Sequence, residues 1–458
     1  MRRTIMLLGV LIFFCFSPAT AQTALTSLDE CIRQGVGQSL RLQAGRLEQD
    51  EARADIDIAR RLFIPQFQAD LSTSDHLKKR EYRMGITKLL PDGTRAQAQI
   101  KGQAFDTDTA NHDRRFAVSL TRPLLRNFGH QITGLDIDLS KLDYQIAIEL
   151  FKSELNSYIA ELASAYFDLA FARKNLEVTE QSLTRARQQF EDTRRDIEAG
   201  AIPGQELFVV EENVVEFEIR LENAHRDIAW YELELQKLMN AQTASPTTIV
   251  PGDNFEAHLP DPAHFDDSWQ QLVTLNPSYK VKELYFRRAG INHELFVNQL
   301  KPILDLNLEA DAREGGRTVG RNTYQVGLHY EVPLDWKSDR ARVSKSRLTI
   351  RRQETRFADA ESNFRHQLRQ TLLDLEHLKS VFTARRRARE LSQKKLDAEQ
   401  EKYKNGISTL TDVVRFQKDL ENAELEVIRV LISWNRQRIR KLLLEGSLYK
   451  SFGLEIPS

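Results

Sequence analysis

Arg61-Leu-Phe-Ile-Pro65-Gln-Phe-Gln-Ala-Asp-Leu71 and Asn298-Gln-Leu-Lys-Pro302-Ile-Leu-Asp-Leu-Asn-Leu308 are two versions of one joint. Each leaves a helical pattern, passes through a proline and enters strand-like alternation. Proline suits such a joint, because it lacks an N–H and biases the residue before it toward extended backbone. The two prolines stand 237 residues apart in a chain of 458, so duplication is the first hypothesis to test.

A second pair supports it. Glu198-Ala-Gly200 and Lys404-Asn-Gly406 each read as the end of a long helix. Six residues past each glycine stands an acid, Glu206 or Asp412, followed by Leu207 or Val413. The offset of this pair is 206. One heptad seam runs Leu176, Leu183, Phe190, Ile197 and then Leu207, Val214, Leu221, Ile228, with companions Val210, Phe217, Ala224 and Tyr231. At the same offset lie Phe382, Arg389, Leu396, Tyr403, Val413, Leu420, Val427 and Trp434, with Phe416, Ala423, Val430 and Gln437. Only Arg389 and Gln437 break the pattern. The two offsets differ by 31, so the first copy holds extra residues between Pro65 and Leu176. Pro91-Asp-Gly93, flanked by alternation, places an additional β-hairpin at 81–105.

The rest of the chain divides around these anchors. Residues 1–21 read as a signal peptide: Arg2 and Arg3, an apolar core from Thr4 to Phe16, and Ala19-Thr20-Ala21 as the cleavage site. Phe13 and Phe14 stand before Cys15 where a lipoprotein signal needs small residues, so no acylation is expected. Cys31 then remains alone, which excludes an internal disulfide. Residues 22–240 form the first repeat: a short helix at 28–63, strands within 66–122 and a helical hairpin at 131–240. Residues 241–266, with four prolines, read as a linker. Residues 267–445 form the second repeat: a short helix to 300, strands within 303–332 and a hairpin at 336–445. Residues 446–458 form a tail expected to pack beside the linker.

Composition agrees with long helices. The 13 prolines leave 123–203 and 333–457 free of breakers between their end points. A net charge of −1 provides no global field for nucleic acid. No stretch after the signal reaches the length of a transmembrane helix, which leaves a periplasmic, secreted or β-barrel chain. In 322–332, Tyr324, Val326, Leu328, Tyr330 and Val332 share one face, and Gln325, Gly327, His329 and Glu331 share the other. That pattern suits a barrel wall between lipid and water; it equally suits a half-buried strand of a soluble sheet. Four to six strands cannot close a barrel, and an open sheet cannot sit in lipid with bare edges. Membrane strands would therefore have to be pooled by several chains.

Together the motifs resemble the TolC-like outer-membrane efflux proteins over nearly all of the mature chain. They are Leu28-Asp-Glu-Cys-Ile32, the joints at Pro65 and Pro302, Leu120-Thr-Arg-Pro-Leu124, Tyr330-Glu-Val-Pro-Leu334 and the glycine–acid–apolar turns. The resemblance implies a mainly α fold with a β-barrel portion: two tandem repeats of strand pair plus long coiled-coil hairpin. It also implies a homotrimer with an α-barrel tunnel and a shared outer-membrane barrel, working with a periplasmic adaptor and an inner-membrane pump. Solutes would pass unaltered. By position, it carries an acidic constriction near the periplasmic tip onto Asp412. Where many relatives have a second acid, this chain has Arg415, which puts a double acidic ring in doubt. Glu206, Gly200 and Gly406 complete the candidate tip. The alternative for Asp412 and Glu206 is plain helix capping or first-turn placement.

No catalytic set stands out, and no enzyme, cofactor or metal is expected. His366 and His377 are eleven apart without a ligand-spaced acid, Gly315-Gly316 falls in a loop, and Arg385-Arg-Arg387-Ala-Arg389 reads as a solvated face or a site for acidic partners. Rival readings are a periplasmic adaptor, which should carry one hairpin rather than two, and a coiled-coil scaffold, which needs no strands.

Overall fold

The computed structural model describes residues 24–74, 79–105, 113–240, 249–251, 259, 264–314 and 321–454. The expected signal peptide, most of the linker, the Gly315-Gly316 loop and the end of the tail lie outside them. The first repeat runs β1 (Ala24–Thr26), α1 (Leu28–Gln38), α2 (Leu40–Arg60), β2 (Gln66–Ser74), β3 (Lys79–Leu89), β4 (Arg95–Phe105), β5 (Asp113–Pro123), a single turn α3 (His130–Thr133), α4 (Leu135–Glu198) and α5 (Glu206–Leu238). β6 (Ile249–Pro251) lies in the linker; the second repeat runs α6 (Phe265–Leu275), α7 (Pro277–Gln299), β7 (Ile303–Glu314), β8 (Arg321–Glu331), α8 (Lys337–Lys404) and α9 (Leu410–Glu445), and α10 (Leu448–Ser451) lies in the tail.

Each short helix expected from the sequence is in fact two. Ser39 ends α1 and caps α2, its hydroxyl accepting from Leu42 N. Asn276 ends α6 and caps α7, accepting from Tyr279 N, with Pro277 at the first helical position. Both have nearly the same extended backbone (φ −66°, ψ 116° and φ −65°, ψ 117°). They stand 237 residues apart, so the joint offset holds for this kink too. At the chain's start, Ser27 and Glu30 form a capping box, which sets Cys31 and Ile32 into the core.

Six of the described strands form one antiparallel meander in the order β2-β3-β4-β5-β7-β8, while β1 and β6 pair in parallel as a separate two-stranded sheet. The expected additional hairpin is β3 and β4, turning at Pro91-Asp-Gly93. Leu90 N donates to Thr94 O at 2.8 Å, and the Asp92 carboxylate accepts from Thr94 N at 2.9 Å and from its hydroxyl at 2.8 Å. Gly129 N donates to Asp92 O, which ties this turn to the strand-to-helix joint. To this sheet the first repeat supplies four strands and the second two.

α4 and α8 have 64 and 68 residues, each about 100 Å of helix at 1.5 Å per residue. Away from the sheet the helices form one layer, ordered α5–α4–α9–α8; nearer the sheet the order is α2–α4–α7–α8. The main core lies at mid-length of α4, where Ile159, Leu162, Tyr166 and Leu169 meet Ile32, Leu42, Leu235 and Leu448. α10, in the tail, packs on α4, with Asn156 Oδ1 accepting from Tyr449 N at 3.0 Å. Leu448 belongs to the main core, and β6, the described strand of the linker, also contacts α4.

Candidate functional site

The two hairpin turns are built alike. α4 ends with Gly200 at φ +70°, where Gly200 N donates to Ile197 O and Ala201 N to Asp196 O. α8 ends with Gly406 at φ +72°, where Gly406 N donates to Tyr403 O and Ile407 N to Lys402 O. This paired closure of the last carbonyls needs a left-handed residue, which glycine supplies without steric cost.

The return helices start differently. Glu206 is the first residue of α5, and no side chain caps that helix. α9 is capped by Thr409, whose hydroxyl accepts from Asp412 N at 3.2 Å and donates to Asp412 Oδ2 at 2.6 Å. Arg415 Nη2 lies 2.9 Å from Asp412 Oδ1 and stacks over Phe416. Asp412 therefore occupies a first-turn position with its charge held by Thr409 and Arg415. Glu399, near the end of α8, is held below the usual carboxylate range by the Ser408 hydroxyl and then by Lys402. An apolar cluster of Val210, Leu410 and Val414, with Phe190, Leu207 and Tyr403 around it, brings the two tips together.

Behind the tips an ionic chain crosses from α5 to α9. Glu216 pairs with Lys418 and Arg220, and Arg220 pairs with Glu421. Hydrogen bonding to Lys418, and then Arg220, lowers the Glu216 pKa. Burial raises that of Glu421, which is 1% exposed, against the opposing pull of Arg220. Beside them Asn213 Nδ2 donates to Gln417 Oε1, both buried. Sequence reading missed this network. Its only sign was charge at positions flanking the heptad seam.

The sheet has two unlike faces. Phe67, Leu71, Met84, Ile86, Ile100, Phe116, Leu308, Tyr324, Val326, Leu328 and Tyr330 lie exposed on one face, aligned through the ladders. The other face carries Gln66, Gln68, Gln97, Gln99, Ser119, Asn307 and Gln325 in matching register. A contiguous apolar patch of this extent is not left to water. No described helix is long and apolar enough to cross a membrane.

A layer of long hairpins continued by an antiparallel sheet, apolar on one face and polar on the other, defines a duct wall of the outer membrane. The sequence matches the outer membrane efflux protein family over residues 32–241 and 276–443, and the chain belongs to that family. Solved structures of the same fold include the CmeC outer membrane channel of Campylobacter jejuni, at 13% identity and TM-score 0.67 over 92% of this chain and 86% of that one. VceC of Vibrio cholerae matches at 12% and 0.67 over 93% and 96%. The open state of the MtrE outer membrane channel of Neisseria gonorrhoeae matches at 16% and 0.61 over 93% and 88%. No curated protein matches the sequence. The protein is an outer-membrane efflux duct.

Proposed function

We propose that three copies of this chain join edge to edge into one closed tunnel, through which solutes pass unaltered. The observation carrying this is that the layer is open at the same two ends at every height. β2, α2 and α5 from the first repeat stand at one end; β8 and α8 from the second stand at the other. On α5, Phe208, Val215, Ile219, Trp230 and Leu233 are exposed and fall within about 40° of one line at 100° per residue. Leu40, Leu47 and Ile58 make a like stripe on α2, and Leu348, Leu373 and Leu391 another on α8. An interface whose two halves differ closes only by rotation into a ring. β8 runs antiparallel to β2, so it can pair with β2 of the next copy and leave no bare edge. Three six-stranded sheets make about eighteen strands, the size at which a barrel holds an aqueous lumen.

In this assembly the tips at Gly200 and Gly406 meet the periplasmic adaptor and inner-membrane pump. Three Asp412–Arg415 pairs then lie around the tunnel mouth, where a carboxylate released from its arginine attracts cations. Detergent extraction of the membrane fraction followed by mass measurement tests the assembly: a trimer is expected, and a soluble monomer sinks it. Single-channel recording of Asp412→Asn tests the mouth. A shift of selectivity toward anions is expected; unchanged selectivity and block remove Asp412 from it.

A further inference from the structure

The polar face of the sheet is not uniformly polar. The ladders set Asp70 opposite Arg83, Arg83 opposite Lys101, Lys101 opposite Arg115, Arg115 opposite Arg313 and Arg313 opposite Arg321. From β2 to β7 the row therefore carries four cations in succession, Arg83, Lys101, Arg115 and Arg313, with a single acid at its β2 end. The next row toward the helices is Gln68, Gly85, Gln99, Ala117, Asp311 and Thr323, and the one after it is Gln66, Thr87, Gln97, Ser119, Glu309 and Gln325. Those rows hold one charge each, both acids on β7.

Like charges directly opposite on neighbouring strands repel, so this row works against the sheet that carries it. Part of the repulsion is relieved at β7. Arg115 Nε lies 2.9 Å from Asp311 Oδ1, and its Nη2 reaches Asp311 and, at 3.5 Å, Glu309. Arg83 and Lys101 have no carboxylate within ion-pair distance among the described residues; Arg83 is exposed and Lys101 half-exposed. The cations share the parity of the glutamine rows and stand opposite in parity to Met84, Ile100 and Phe116, so they lie on the wet side.

We propose that this row makes the barrel lumen selective for anionic solutes, those carrying carboxylate, phosphate or sulfate groups. The inference rests on the duct reading, which makes the polar face the lumen wall. Lysine and arginine lining a pore select anions, and low-dielectric walls concentrate their field. Barrel strands tilt by about 40°, so a row perpendicular to them climbs obliquely around the wall. Three copies present three sloping ramps of positive charge, each leading along the transport path. The cations sit about 5 Å apart from strand to strand, inside the screening length of about 10 Å at 0.1 M salt. An anion is thus passed between overlapping fields and never leaves them.

The test is the reversal potential of the purified channel in a planar bilayer under a potassium chloride gradient. Arg83→Gln with Lys101→Gln removes two charges and leaves the Arg115–Asp311 pair intact. The chloride-to-potassium permeability ratio is expected to fall at least about twofold at 0.1 M salt, and by less at 1 M, where the screening length is about 3 Å. The charge-keeping variant Arg83→Lys with Lys101→Arg should leave the ratio unchanged, and each single Gln variant, should the pair fail to assemble, should give part of the fall. A conducting channel whose ratio does not move on losing these charges overturns the anion row and leaves the duct standing. A wild-type protein that never conducts overturns the duct and the row with it.

Discussion

At the scale of single residues, two glycines with the same backbone carry unequal burdens. Gly406 has φ +72° and open space where a Cβ would go, so Gly406→Ala should cost only the left-handed penalty, about 1–2 kcal/mol. Gly446, which ends α9, also has φ +72°, but its added Cβ would lie 2.5 Å from Asn276 Cα and 2.7 Å from Leu275 C. Both are backbone and cannot swing aside, so Gly446→Ala should cost roughly 2–5 kcal/mol once overpacking is added. Thermal unfolding followed by helical circular dichroism should separate the two; equal melting points would refute the close packing at Asn276. The buried acid makes a sharper case. Arg220→Ala leaves Glu421 without its nearest cation, at a cost of about 3 kcal/mol at neutral pH, the low end for a buried pair because water reaches Arg220. Burial already raises the Glu421 pKa, and losing Arg220 raises it further. A raised acid contributes stability that is fully present below its unfolded pKa and is lost as pH rises through the folded one. The variant's deficit should therefore shrink as pH falls toward 4.5, and adding Glu421→Gln should restore stability at neutral pH. A deficit independent of pH would show that Glu421 is not the cause.

At the scale of elements, the kinks at Ser39 and Asn276 are equivalent in backbone and unequal in bonding. Ser39→Ala removes a weak cap on Leu42 N at 3.3 Å, worth about 1 kcal/mol, and a hydrogen bond with the Tyr158 hydroxyl, which keeps its bond to Leu238 O. Asn276→Ala removes the cap on Tyr279 N at 2.8 Å and also the bond from Nδ2 to Leu444 O at 2.8 Å, which joins α7 to α9. It strands a buried carbonyl and should cost about 1–3 kcal/mol more. Denaturant midpoints of the two variants check this, and a larger loss at Ser39 would contradict it. The same kinks show where sequence reading was coarse. Asn276-Pro277 is a cap followed by a first-turn proline, a visible start signal inside what reads as one helix. Ser39-Leu40 offers nothing comparable, and only the 237-residue offset links them. The heptads, by contrast, were legible because burial follows them: Val210, Phe217, Ala224, Val413 and Leu420 are all closed from water, while Arg389 stands exposed and Gln437 is engaged with Asp374. The cross-strand charge row could not be read ahead, because it depends on four registers that no single strand reveals.

At the scale of the whole molecule, duplication explains both the length of the chain and its incompleteness. Two hairpins share seams at α4 and α9, yet the same doubling leaves the outer sides of α5 and α8 bare. One substitution can test whether those sides meet in a neighbouring copy. Ile219 is 58% exposed on the α5 stripe, between Val215 and Trp230. In a free chain, Ile219→Lys places a charge in water on a helix that tolerates it, with a stability change within about 0.5 kcal/mol. In a ring, the same ammonium is driven three times, once at each interface, into the seam formed by the apolar members of the stripe, and an ion pair with Glu222 one turn on offsets little of its desolvation cost. Helix content should therefore stay at the wild-type level while the trimer falls apart in detergent. His225→Lys, at an exposed α5 position roughly 110° around the helix from the stripe, should leave the trimer intact. A stable Ile219→Lys trimer would mean that the stripe faces lipid, solvent or another protein, and the edge-to-edge closure of the helical layer would have to be abandoned, even with the sheet edges still paired.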